Sequence, residues 1–102
     1  MTNSNRKGKA GERELAAFLT DNGHPARRGQ QFSGGPESPD VTCPSLPGIH
    51  WESKRCERLR LDEAIHQAVM DAGQRVPVVA HRRNRGEWLA VLRLSDLLGL
   101  LK

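Results

Sequence analysis

Asp40, Glu52 and Lys54 are the residues whose types and spacing best suit chemistry. Asp40 follows Pro39, and 11 residues separate it from Glu52-Ser53-Lys54. On a strand, alternate side chains share a face, so Glu52 and Lys54 project together with His50, while Ile49, Trp51 and Ser53 project the other way. If the chain reverses between residues 40 and 52, Asp40 comes beside Glu52, and two carboxylates and one ammonium meet in one cleft. Two neighbouring carboxylates repel, and a divalent cation is the simplest remedy. Carboxylate oxygens are hard ligands, which favours Mg²⁺ or Mn²⁺. Such an ion polarises a phosphodiester and lowers the pKa of a bound water, and a nearby lysine can steady the developing negative charge. The expected chemistry is metal-dependent phosphodiester hydrolysis. A Glu and a Lys two apart on a strand are by themselves usually a solvated ion pair; the aspartate upstream is what sharpens the reading.

The elements that must position these groups are legible in the spacing. Residues 6–22 predict a helix with Leu15, Ala16 and Leu19 on one face and Phe18 widening it, capped by Ser4 or Asn5 and stopped by Gly23. Residues 26–29 suit a short strand, and residues 30–39, with Gly34, Gly35, Pro36 and Pro39, a loop. Strands at 40–43 and 48–54 would form a hairpin across Pro44-Ser45-Leu46-Pro47-Gly48. A helix over 61–72 carries Ala64, Ile65, Ala68, Val69 and Ala72 on one side, strands at 77–81 and 87–92 flank an Asn84-Arg85-Gly86 turn, and a short helix closes the chain at 95–101. The order is αβββαββα, an α/β fold with a mixed central sheet flanked by helices. At 102 residues the chain has room for a single domain.

Helical geometry adds a fourth candidate. Glu12 projects with Leu15, Ala16 and Leu19 toward the sheet, whereas Glu14 lies nearly opposite. A charge on an inward stripe needs a partner, and a metal cluster would supply one, either directly or through a second ion. Phe18 and Trp51 both alternate onto apolar sides and are expected in the core, while Phe32 falls in the loop.

The chain carries 16 Lys+Arg, most of them arginine, against 12 Asp+Glu, and nucleic acid is the natural partner for that balance. Candidate phosphate contacts are Lys7 and Lys9 before the first helix face, Arg27 and Arg28 beside the loop, Arg55 after the Glu-x-Lys strand, and Arg82, Arg83 and Arg85 around the last hairpin. Any one of them is equally well explained as solvated surface. The sparse aromatics argue against a single-strand stacking platform. No run is apolar or long enough for a membrane span or a secretory signal, Cys43 and Cys56 suit reduced thiols, and the histidines lack zinc-ligand spacing. A soluble cytoplasmic protein with no membrane partner is expected.

Taken together, Lys7-Gly8, Glu12-Arg13, Leu15, Gly23, Arg28, Ser33-Gly34, Pro39-Asp40-Val41 and Glu52-Ser53-Lys54 resemble the PD-(D/E)xK nucleases, and among them the archaeal-type Holliday junction resolvases and their phage relatives. The resemblance implies a restriction-endonuclease-like core. It also implies that Asp40 and Glu52 bind the catalytic metal with the main-chain carbonyl of Ser53, that Lys54 acts in catalysis, that Glu12 completes the acidic cluster, and that Ser33 approaches the scissile phosphate. Gln67 stands where such nucleases often carry a site glutamine, and an ordinary exposed helix residue explains it equally. These resolvases are homodimers that cut a four-way junction, so DNA and a second copy are the expected partners. The long turn between the acidic strands and the Arg82-Arg83-Asn84-Arg85 hairpin depart from the resolvase pattern. Alternatives are a nicking or end-processing nuclease of the same fold, or a DNA-binding module without catalysis.

Overall fold

The first helix, α1 (Ser4–Asp21), forms because its apolar residues recur at helical spacing: Leu15, Ala16 and Leu19 are all buried against the sheet. It ends at Gly23, whose φ of 90° only glycine adopts cheaply, with the His24 N–H closing back onto the Leu19 carbonyl at 2.9 Å. The structure, a computed structural model, describes residues 4–29 and 39–102, with side chains from residue 8 onward. Ser33 and Phe32, with the rest of the expected loop at 30–38, lie outside the described residues, as does the side chain of Lys7.

Five strands follow: β1 (Arg27–Arg28), β2 (Val41–Thr42), β3 (Ile49–Arg55), β4 (Val76–Arg82) and β5 (Leu89–Val91), with α2 (Leu61–Ala72) between β3 and β4 and α3 (Leu94–Leu100) last. They lie in the sheet in the order β1-β2-β3-β4-β5. β3 and β4 are parallel, and α2 is the crossover that parallel neighbours need; the remaining pairs are antiparallel. The result is a compact α/β fold, with a Cα radius of gyration of 13.0 Å, about what a folded chain of this length has.

Pro77 sits in β4, an internal strand of the sheet, without breaking a ladder bond. The Val76 N–H points at β3, where it meets the Gly48 carbonyl, so the Pro77 nitrogen points to the β5 side. β5 pairs only opposite residues Val79 to His81, and no N–H is needed at Pro77.

Helices cover both faces. On one, Leu15, Ala16 and Leu19 of α1 pack on Val41, Cys43 and Ala80, with Trp51 and Trp88 partly buried at the margin. On the other, Ala64 and Ala68 of α2 pack on Val79, flanked by Leu59, Ile65 and Val91. Small side chains on α2 let it lie close to the sheet. Gly11 does the same for α1: a Cβ there would stand 2.7 Å from the Arg55 Cβ, closer than any real pair, so α1 accepts the helix-propensity cost of glycine at that position.

One expectation needs correction. Phe18 is not core: it is 44% exposed on the flank of α1, where its ring tilts against Trp88 with centroids 6.4 Å apart. The contact stripe of the helix is narrower than the sequence suggested, because α1 meets the sheet through Gly11, Leu15, Ala16 and Leu19 while the last hairpin occupies its side. The closing helix α3 buries none of its residues, and Leu94, Leu97, Leu98, Leu100 and Leu101 remain on the surface. No helix among the described residues is long and apolar enough to cross a membrane.

The close approach at Gly11 generates a stability prediction. Gly11→Val should cost about 1–3 kcal/mol by overpacking, a fall in Tm of roughly 5–15 °C for a domain of this size. Thermal unfolding measures it, and an unchanged Tm would show that α1 does not depend on that contact.

Candidate active site

The β2–β3 register builds the site. Val41 is paired with Trp51, and both belong to the core under α1. Paired residues project to the same face and sequence neighbours to opposite faces, so Asp40 and Glu52 both project to the face that α2 covers. The Asp40 N–H donates to the Trp51 carbonyl at 2.9 Å. In return, the Ser53 N–H donates to Asp40 Oδ2 at 2.8 Å, which pins the carboxyl at the end of β2. In a strand the N–H and C=O of one residue point to the same edge, so the Ser53 carbonyl is aimed toward the same side as its N–H.

Glu52 is buried, at 4% exposure. His50 Nε2 lies 3.3 Å from Glu52 Oε1, and because an ionised carboxylate can only accept, the imidazole donates. Asp40 and Glu52 also share a hydrogen bond, and Lys54, two residues on, faces Glu52 closely enough to stabilise its charge. Asp71, near the end of α2, approaches Glu52 and His50 from the covering helix.

The electrostatics separate the two carboxyls. Burial, the Glu52 charge and the shared hydrogen bond push Asp40 up to about 7, against the lowering effect of the Ser53 N–H. Burial also pushes Glu52 upward, but hydrogen bonds with His50 and Asp40 and the charge of Lys54 outweigh it, so its carboxyl stays below the usual range. Asp71 is raised by partial desolvation and by the Glu52 charge. A half-buried and a buried carboxyl holding one proton between them mark a site short of positive charge. A divalent cation bound to both would replace that proton.

Other expected residues are placed differently. Glu12 lies on α1, on the opposite face, and its Oε1 accepts from Arg28 Nε at 2.9 Å. It raises Asp40 only as the smallest contributor and is not gathered into the pair. Among the described residues no group of three or more His, Cys, Asp or Glu side chains is arranged to hold a metal ion. Arg55 Nε and Arg82 Nη1 both bond to Glu14 Oε1, at 3.0 and 2.9 Å, and Arg82 Nε reaches the Gly86 carbonyl at 2.7 Å. Arg28, Arg55 and Arg82 thus brace the fold. Lys9, Arg27, Arg83 and Arg85 are exposed. A depression of about 220 Å³ beside Lys54 is lined by Arg58, Arg60 and Gln67 among others.

The sequence reading overlooked His50 and Asp71. The alternation that joined Glu52 to Lys54 already placed His50 on their face, and Asp71 follows Ala64 and Ala68 at helical spacing. Glu14, opposite Glu12 on α1, is reached by long arginines rising from β3 and β4, a reach that a helical wheel does not count.

In comparison with known proteins, no family model matches the chain, and no curated protein or solved structure matches it.

The Asp40 carboxyl moves from an ordinary 3.8 to about 7 in the fold, so its favourable contribution is complete below the lower value and is lost as pH rises through the upper one. Asp40→Asn, uncharged throughout, should therefore stabilise the metal-free protein by roughly 1–3 kcal/mol at pH 8 and by little at pH 4. Denaturant unfolding at both pH values checks this, and an equal effect at both would contradict the shared-proton arrangement.

Proposed function

We propose that the chain is a metal-dependent endodeoxyribonuclease of the PD-(D/E)xK type with a restriction-endonuclease-like core, acting in the cytoplasm as a homodimeric Holliday junction resolvase. The observation that carries this reading is the convergence of Asp40, Glu52 and Lys54 on one face of the β2–β3 pair, with Asp40 tied to the Ser53 N–H. The donor set fits Mg²⁺ or Mn²⁺: two carboxylates and a main-chain carbonyl are hard oxygens, and the excess negative charge around Asp40 is what a dication offsets. When bound, the ion supplies Lewis-acid polarisation of the phosphodiester and a more acidic water.

The residues of the chain supply the rest. Asp40 and Glu52 would hold the ion, with the Ser53 carbonyl offered from the same edge. Lys54 donates toward the attacking water or toward negative charge growing on the phosphate. Lys9, Arg27, Arg83 and Arg85 meet backbone phosphates without reading bases, which suits recognition by shape. The exposed leucines of α3 are apolar surface of the kind that a subunit contact buries.

Cleavage of four-way junction, linear duplex and single-stranded DNA, each with Mg²⁺ and with EDTA, tests the proposal. Paired symmetric incisions of the junction alone are expected. Cutting of other substrates would favour a nicking or end-processing enzyme, and binding without cutting would favour a non-catalytic module. Asp40→Asn and Glu52→Gln should abolish cleavage and leave DNA affinity nearly unchanged, and Lys54→Ala should slow cleavage by about 10²–10³-fold. Arg83→Ala with Arg85→Ala should weaken binding alike on all sequences and lower the slope of log K against log salt by roughly two, one per lost phosphate contact. Full activity in both carboxylate variants would refute the assigned site.

A further inference from the structure

Only three polar or charged side chains rank as buried among the described residues: His50, Glu52 and His81. Each histidine has one visible occupation. His81 Nε2 donates to the Cys56 carbonyl at 2.8 Å and ties the segment after β3 to β4. His50, with no exposed surface, donates to Glu52 Oε1 at 3.3 Å. A wholly buried imidazole costs desolvation, and an apolar residue would fill the same space under α2 without that cost. Its one bond is to the carboxylate on which the proposed metal site depends.

Glutamate reaches its target through three rotatable bonds, and a carboxylate free to turn about them presents its oxygens poorly to an ion. Carboxylates that hold metals are usually themselves held by an outer hydrogen bond. We propose that His50 is a positioning residue for Glu52: by occupying Oε1 it fixes the carboxylate plane, presents the second oxygen toward Asp40, and thereby sets the divalent-ion affinity of the site. This rests on the nuclease reading of the same site. It adds a residue outside the Asp-Glu-x-Lys pattern and makes a claim about binding that does not depend on turnover.

Isothermal titration of the metal-free protein with Mn²⁺ tests it, using His50→Leu, His50→Gln and His50→Asn beside Glu52→Gln and Asp40→Asn. Glutamine carries an amide donor about as far as Nε2, whereas the shorter asparagine does not. His50→Leu and His50→Asn should bind Mn²⁺ about 10–100-fold more weakly, with His50→Gln close to the unsubstituted protein. In cleavage assays the same two variants should need correspondingly more metal for half-maximal rate while keeping most of the rate at saturating metal. Unfolding curves identify any variant that fails to fold, and the glutamine and asparagine pair decides the matter if leucine does. Equal affinity in the Asn, Gln and unsubstituted proteins overturns the proposal, as does equal loss in folded Gln and Leu variants, which would make packing the cause. Mn²⁺ binding unaltered in Glu52→Gln and Asp40→Asn would instead overturn the metal site itself.

Discussion

The hydrogen bond from the Ser53 N–H to Asp40 Oδ2, set by the pairing of Val41 with Trp51, is the constraint on which the rest of the site depends. A shift of one residue would turn Val41 out of the core beneath α1 and carry Asp40 to the face opposite Glu52. Burial of Val41, which has no exposed surface, therefore does more than stabilise: it selects the register in which two carboxyls must share one small volume. Apolar packing on one face of the sheet holds an electrostatic conflict in place on the other.

That conflict is contained by the surroundings. Glu52 keeps its charge because His50, Asp40 and Lys54 favour the ionised form against burial, and the protonation cost falls on Asp40. Such asymmetry is what environment imposes on two like groups too close to ionise together. In the folded chain it is a standing destabilisation that packing elsewhere sustains.

The basic residues divide into two groups with different physical roles. Glu14 accepts from both Arg55 and Arg82, joining α1 to the ends of the parallel strands β3 and β4, and Glu12 with Arg28 joins it to β1. These partly buried pairs orient the helix over a sheet whose apolar contacts are few and small. Other arginines, among them Arg13, Arg27, Arg58, Arg83 and Arg85, lie exposed outside these pairs. A positive composition thus overstates the charge offered to a partner, since part of it is spent inside the molecule.

Local pattern by itself determined a good deal. Helical spacing of Ala64, Ala68 and Ala72 marks α2 with its observed bounds, Gly23 marks the end of α1, and strand alternation puts Glu52 and Lys54 on one face, because these periodicities follow from backbone geometry within a few residues. What only the tertiary structure decided concerns groups distant along the chain. Arg28 rather than the acidic pair is the partner of Glu12, and Arg55 and Arg82 meet at Glu14. Asp71 comes to Glu52 from α2, and Phe18 lies beside Trp88 instead of in the core. Each outcome depends on how far long side chains reach between elements once the layers are packed, and no period within a single element carries that information.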